Sequence, residues 1–283
     1  MKIGIVGLGL IGGSYAKAIK EKTNWEVFGS DIDESTVRQA LDQNAVDGIL
    51  DASLLSECEI VILALYPAAI LSYAKKMSAY FSKSCLVMDA GGVKGAVCAP
   101  LARLSKQAGF SFLGAHPMAG REFSGFSYAK GNLFQGASIV LTPQSEFPSH
   151  LLAKAEAFYR ALGFTRVEIT TPEHHDRMIA FTSQLAHVVA SSYIKSPAAK
   201  NHVGFSAGSY RDLTRVARLN PDMWTRLFLD NRQNLSEEIE ILISHLSEFK
   251  QALDAQDAEA LHKLLEEGAQ LKEEIDPVTR RNK

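Results

Sequence analysis

Val6-Gly7-Leu8-Gly9-Leu10-Ile11-Gly12-Gly13-Ser14, entered directly from an apolar run at residues 1–6, decides the fold of this chain. The β-branched run predicts a strand and the glycines predict a tight turn. Tyr15, Ala18 and Ile19 then recur on one side of the helix that should follow. In such a unit Gly7 makes the turn, Gly9 lets a pyrophosphate approach the backbone, and Gly12 lets the helix pack against the strand. Gly7, Leu8, Gly9, Leu10, Ile11 and Gly12 are thus the expected phosphate-binding residues, with the anion at the helix N-terminus. A second strand, residues 25–29, ends near Asp31, 19 residues after Gly12. A carboxylate there accepts hydrogen bonds from both ribose hydroxyls and repels a 2′-phosphate. Asp33 and Glu34 add to the repulsion and no arginine precedes Arg38, so NAD is the expected cofactor.

Further strand patterns at residues 60–65, 86–88, 111–113, 139–141 and 167–169 alternate with helical stretches, which predicts a parallel sheet covered by helices. Tyr66-Pro67 and Asp89-Ala90-Gly91-Gly92 follow strands, on the carboxyl edge where open sheets bind ligands, and so does Gly114-Ala115-His116-Pro117-Met118-Ala119-Gly120-Arg121-Glu122. Pro117 pushes His116 toward an extended backbone, and the flanking glycines allow sharp entry and exit. An imidazole held this way acts either as a base near neutral pH or as a loop group satisfying a carbonyl. Its position beside the phosphate turn, near where a nicotinamide would lie, favours the base.

The bulk properties narrow the partners. The chain has 283 residues, more than one core usually holds, with 46% apolar and 22% charged residues. A net charge of −2 without a basic block lacks the electrostatic footprint of a nucleic-acid binder. Cys58, Cys85 and Cys98 fit no metal spacing and read as reduced, buried thiols. The start of the chain does not resemble a signal peptide, and the longest apolar stretch, residues 60–71, is too short for a bilayer and broken by Pro67. The expectation is a cytoplasmic protein with small-molecule partners, no metal and no membrane.

After Thr170 the strand pattern stops. Thr171 suits a helix cap, Pro172 its first position and Glu173 its positive end. The helix should run to about Lys195, with Met178, Leu185, Val188 and Val189 in the core. Ala180, Gln184, His187 and Ser191 form a small, polar stripe that either faces water or lines a cleft; its lack of lysine and glutamate favours the cleft. Arg211, Arg215 and Arg218 follow at helical spacing, able to grip carboxylates or to pair with acids such as Asp212. Asn220-Pro221 opens another helix containing Trp224. Amphipathic stretches at residues 235–253 and 257–275 have apolar residues enough to face a partner subunit. The boundary falls between a nucleotide-binding domain, residues 1–171, and a helical domain, residues 172–283.

Taken in order, the glycine turn, Asp89–Gly95, Gly114–Gly120, His175-Asp176, Ser183–His187, and Arg211–Arg215 before Pro221 and Trp224 resemble the prephenate and arogenate dehydrogenases of tyrosine biosynthesis. The resemblance spans essentially the whole chain, and the histidine-proline-methionine-alanine-glycine element is its most specific part. It implies a Rossmann-type α/β domain followed by an all-α domain like that of 6-phosphogluconate dehydrogenase, paired into a homodimer. It also implies NAD-dependent oxidative decarboxylation of prephenate to 4-hydroxyphenylpyruvate, or of arogenate to tyrosine, with tyrosine a possible feedback inhibitor. His116 matches the family's catalytic histidine, Arg215 its carboxylate-binding arginine and Trp224 a pocket residue. Gln184 and His187 are expected to touch substrate, and Tyr66, Pro67 and Gly92 the cofactor.

Two departures from the family pattern stand out. Gly92 occupies the place of a serine that commonly bonds the catalytic histidine and the nicotinamide. Gln184 replaces the first histidine of serine-histidine-leucine-proline-histidine; it can donate a hydrogen bond but carries no charge, which Arg121 is expected to supply. Two other readings compete. A β-hydroxyacid dehydrogenase would place a catalytic lysine on the first long helix of the second domain, and none lies between Arg177 and Lys195. A sensor that binds NAD without turnover is the other.

Overall fold

The computed structural model describes residues 1–121 and 123–276. Eight strands form one sheet in the order β3-β2-β1-β4-β5-β6-β7-β8. They are β1 Lys2–Val6, β2 Glu26–Ser30, β3 Gly48–Ile49, β4 Ile60–Leu63, β5 Leu86–Asp89, β6 Ser111–Pro117, β7 Ser138–Thr142 and β8 Arg166–Ile169. Strands β4 and β5 are buried along their whole length, which is why they read as unbroken apolar runs. Strand order reverses at β1, which pairs with β2 on one side and β4 on the other, so a crevice opens at the carboxyl ends of β1 and β4.

The alternation of strands and helices predicts a parallel sheet, but one pairing in it is antiparallel. β1 to β6 run parallel, β7 runs antiparallel to β6, and β8 is parallel to β7. The connections explain the reversal. Among the described residues between β6 and β7 the one helical element is the 3₁₀ turn Phe126–Tyr128, whereas the helix Ser149–Ala161 carries the chain from β7 to β8. A parallel crossover needs a covering element of the second kind.

The reversal also moves His116. β6 extends through Pro117, and His116 pairs with Val140 of β7 instead of sitting on a loop beyond the strand. Its backbone is therefore held on a rigid element.

The residues Met1–Arg232 form one compact unit, and a second begins at Gln233. Within the first unit, Tyr15, Ala18 and Ile19 are fully buried on the helix Leu10–Lys22, as their spacing predicts. Thr171 caps the helix Pro172–Ile179 by accepting the His174 N–H at 3.2 Å, and Asn220 caps Pro221–Asp230 by accepting the Met223 N–H at 3.2 Å. The first of these helices is not a uniform α-helix. A π-helical segment, Ala180–Leu185, separates it from the helix Ala186–Tyr193. The wider turn changes the angular register across it. Leu185 is buried, but Met178, expected in the core, is exposed. Likewise Arg211 and Arg215 do not share one α-helix, because Gly208–Thr214 gives way to the 3₁₀ turn Arg215–Ala217.

The second unit holds most of the helix Arg232–Asp254 and the helix Ala258–Ile275, the latter capped by Asp257. Ile241, Ile243, Leu246, Leu253, Leu265 and Ile275 are exposed on it. Cys58, Cys85 and Cys98 are free and buried. Burial pushes their thiols up to about 12, 12 and 11, which keeps them protonated and unreactive. No described helix is long and apolar enough to cross a membrane.

Candidate functional site

The glycine turn shows why each glycine is there. Gly7 has φ +87°, and a Cβ on it would lie 2.5 Å from the Ala64 carbonyl oxygen. A Cβ on Gly12 would sit 1.8 Å from the Gly7 carbonyl oxygen, so helix and strand approach only without a side chain. At Gly9 the Cβ position meets nothing within 4 Å. That open face borders the N-terminus of the helix Leu10–Lys22, whose first turn has neither a side-chain cap nor an acidic residue. Free amides, positive dipole and open space together fit a dinucleotide pyrophosphate. Asp31 braces the turn: one carboxylate oxygen accepts the Leu8 N–H at 2.7 Å and the other the Asp33 N–H at 3.0 Å. An ionised carboxylate retains further acceptor positions for ribose hydroxyls. Tyr66 is exposed at the start of the helix Pro67–Met77, on the same carboxyl edge. We expect Asp31→Ala to raise KM for NAD and narrow its advantage over NADP, measured by initial rates with each cofactor; an unchanged ratio would assign ribose selection to another residue.

Behind His116 lies a buried polar clamp. Asp89 and Lys94 are fully buried and ion-paired with each other. Asp89 also accepts the Ala115 N–H at 3.0 Å and the Gly91 N–H at 2.9 Å, while Lys94 Nζ donates to the Ala115 carbonyl at 2.6 Å. Both peptide groups of Ala115 are thereby fixed, one residue before His116. The loop after β5 is held from the other side by Asp176, which accepts the Lys94 N–H and the Gly95 N–H, each at 2.7 Å.

Asp176 also reaches His116 through His175. His175 Nδ1 lies 2.7 Å from Asp176 Oδ1, and His175 Nε2 lies 2.9 Å from His116 Nδ1. Only one assignment of protons satisfies the neutral chain. Asp176 is the acceptor, so His175 carries its proton on Nδ1 and presents a lone pair at Nε2; His116 must then donate from Nδ1. The lone pair of His116 is left on Nε2. That nitrogen faces Gly92, whose Cβ position is 3.7 Å from Nε2 and 3.8 Å from Leu227 Cδ2. Burial, with the His175 and Lys94 charges, holds the His116 pKa well below its ordinary value. Burial also lowers that of His175, against the opposing pull of Asp176.

The helical segments supply a second group of side chains. His187 Nδ1 donates to the Val216 carbonyl at 3.0 Å, which leaves its Nε2 as an acceptor, and its ring centroid lies 4.0 Å from that of Trp224. Arg215, adjacent to Val216, is exposed, as is Arg121 on the segment after β6; Glu122 lies outside the described residues. Gln184 is placed differently from the expectation of an open cleft. It is buried, donates to the Leu227 carbonyl at 3.1 Å and accepts from Asn231 Nδ2 at 2.8 Å. Asn231 Nδ2 also lies 2.8 Å from the Asp176 carbonyl. Gln184 thus ties the π-helical segment to the end of the helix Pro221–Asp230. That helix brings Trp224 to His187 and Leu227 to Gly92.

Site reasoning from sequence missed the Asp89–Lys94 pair, Asn231, and any role for His175-Asp176. A lysine inside Gly92-Val93-Lys94-Gly95-Ala96-Val97, amid apolar and small residues, was the legible signal for the first. Among the described residues no cluster of His, Cys, Asp or Glu is arranged to hold a metal.

Comparison with known proteins identifies the family. Residues 15–168 match the family described as prephenate dehydrogenase, nucleotide-binding domain, and residues 171–267 match prephenate dehydrogenase, dimerization domain. The prephenate dehydrogenase of Lactococcus lactis subsp. cremoris is 32% identical over 97% of this chain and 77% of that protein. Among solved structures, Aquifex aeolicus prephenate dehydrogenase in complex with hydroxyphenyl propionate and NAD+ superposes with a TM-score of 0.83 at 29% identity, covering 98% of each chain. Synechocystis arogenate dehydrogenase superposes with a TM-score of 0.82 at 29% identity, covering 97% of this chain and 100% of that one. With nucleotide-binding and dimerization domains both matched in order, the chain belongs to the prephenate dehydrogenase family of oxidoreductases.

Proposed function

We propose that this chain is an NAD-dependent prephenate dehydrogenase in which His116 is the catalytic base. The observation that carries the reading is the 2.9 Å contact of His116 Nδ1 with His175 Nε2, which leaves His116 Nε2, facing Gly92 on the carboxyl edge of the sheet, to accept a proton. Bound NAD would accept the hydride from the ring carbon that bears the hydroxyl. His116 Nε2 takes the hydroxyl proton, the ring carboxylate departs as carbon dioxide, and the ring becomes aromatic. The proton then returns to the phenolic oxygen, so none is released overall. Aromatisation makes the step effectively irreversible. The enzyme's share is to orient the hydroxyl, exclude water and hold charge.

Arg215, His187 and Trp224 form the substrate end in this reading, with Arg121 as an added cation. Gln184 acts there by fixing the helix that carries Trp224, with one amide hydrogen left for a substrate oxygen. The functional division falls at residue 171, and the exposed apolar residues of the second unit pair two copies into a homodimer. Three buried, protonated thiols suit the reducing cytoplasm.

The test is NADH formation at 340 nm with prephenate and with arogenate, under NAD and NADP. The reading expects the highest kcat/KM for prephenate with NAD, product 4-hydroxyphenylpyruvate, and competition by tyrosine if the phenol site accepts it. Faster turnover of arogenate would reassign the substrate, and binding of NAD without NADH formation would leave a sensor. The pH dependence has a defined sign. Because His116 is held well below its ordinary value, its base form persists through neutrality, and kcat/KM should fall only as pH drops below about 6.5 through that lowered pKa. An acid limb centred above 6.5 would contradict the assignment.

A further inference from the structure

We infer that His175 and Asp176 form a proton relay behind His116, which takes the place of a side-chain partner at Gly92; the inference rests on His116 being the base. The geometry is directional. Asp176 accepts from His175 Nδ1 at 2.7 Å, and His175 Nε2 accepts from His116 Nδ1 at 2.9 Å. When the substrate hydroxyl gives its proton to His116 Nε2, the N–H bond at His116 Nδ1 can break as a new one forms at His175 Nε2. No electrons are transferred between molecules in that shift. His175 becomes the imidazolium and His116 is neutral again, with its proton now on Nε2. After the ring is aromatic, the phenolic oxygen takes that proton and the shift reverses.

The surroundings say which ring should carry the charge. Lys94 disfavours the protonated form of both rings, but at His175 the carboxylates of Asp176 and Asp89 oppose it; Asp89 is ion-paired with Lys94 and accepts the Ala115 N–H. No carboxylate contacts His116 among the described residues, whereas His175 touches Asp176 directly. Asp176 is held by the backbone amides of Lys94 and Gly95, so it is fixed while the proton moves. His175 is almost wholly buried, and its ring meets His116 edge to face, with centroids 5.1 Å apart. His175 is a positioning residue in this scheme: it acts on substrate only through His116.

Two variants separate relay from orientation. In His175→Gln the amide oxygen can stand where Nε2 stood and accept from His116 Nδ1, which preserves the tautomer, but it cannot take the proton. His175→Ala removes both functions. The inference expects His175→Gln to keep KM for NAD and for prephenate within about twofold while kcat falls at least about tenfold. The acid limb of kcat/KM should move, because it then reports His116 alone instead of the coupled His116–His175 pair. A His175→Gln enzyme with wild-type kcat and an unmoved acid limb overturns the relay. Nitrogen-15 NMR of labelled histidines in the unliganded wild-type protein tests the geometry without turnover. Protonated Nδ1 and bare Nε2 on His116 are expected; the opposite tautomer overturns the inference. A wild-type enzyme that shows the expected tautomer and forms no NADH from prephenate would instead refute the proposed function.

Discussion

His116→Asn should lower kcat by about 10² to 10⁴, the range for losing a positioned acid or base, or roughly 3–5 kcal/mol of transition-state stabilisation. Asparagine is the informative replacement because its amide lies near the position of Nδ1. A contact to His175 can therefore survive, while the nitrogen that faces Gly92 is gone and nothing remains to accept a proton. The backbone at this position is set by the pairing with Val140 and by the clamp on Ala115, neither of which involves the imidazole. KM for NAD should stay near wild type, since the Gly7–Gly12 turn and Asp31 are untouched. The residual rate should also lose its acid limb, because the titrating base has been removed. Single-turnover NADH formation with saturating prephenate reads both quantities. A variant within threefold of wild type would show that His116 only orients substrate.

The parts of the fold that were legible in sequence are those fixed by short-range chemistry. Gly7 and Gly12 are confined by backbone atoms a few residues away or on the next strand, so a glycine is demanded whatever the rest of the chain does. Thr171-Pro172 and Asn220-Pro221 likewise announce helix starts within four residues. The direction of β7 was not legible, because strand polarity depends on what the connecting segment can span and not on the apolar pattern of the strand itself. Met178 was misplaced because a 3.6-residue period was carried across a segment that has π geometry.

The site divides in the same way. His116 stood out through its own neighbours, Gly114 and Pro117. What orients it comes from His175, 59 residues further on, and no local pattern relates the two. Gln184 was read as facing a cleft because its helix face lacks the charges of a solvated surface. That inference about polarity was sound as far as burial goes, but Leu227 and Asn231, from a later helix, occupy its hydrogen-bonding groups. Sequence reveals that a polar face is unusual; only tertiary pairing reveals what it faces.

Lys94→Met should be the most destabilising single change at the site, by about 3–5 kcal/mol, the range for removing one member of a buried ion pair. Both Asp89 and Lys94 are fully buried, so deleting the ammonium leaves a carboxylate without water or counter-ion. Two amide hydrogens, from Gly91 and Ala115, are then its remaining partners. Such a loss is a large fraction of the roughly 5–15 kcal/mol that holds a typical protein folded. Adding Asp89→Asn to Lys94→Met should recover part of it, because asparagine is neutral and its Oδ1 can still accept from one of the two amides; the two changes are coupled and not additive. Urea unfolding followed by tryptophan fluorescence would measure the single and double variants. The single variant should also lose activity in the folded protein, since the Ala115 carbonyl is released beside His116. Its acid limb should rise, because Lys94 is one of the charges that lower the His116 pKa. A Lys94→Met protein within about 1 kcal/mol of wild type would mean that the clamp relaxes or admits water, and that the Asp89–Lys94 pair is not what holds β6 in register for catalysis.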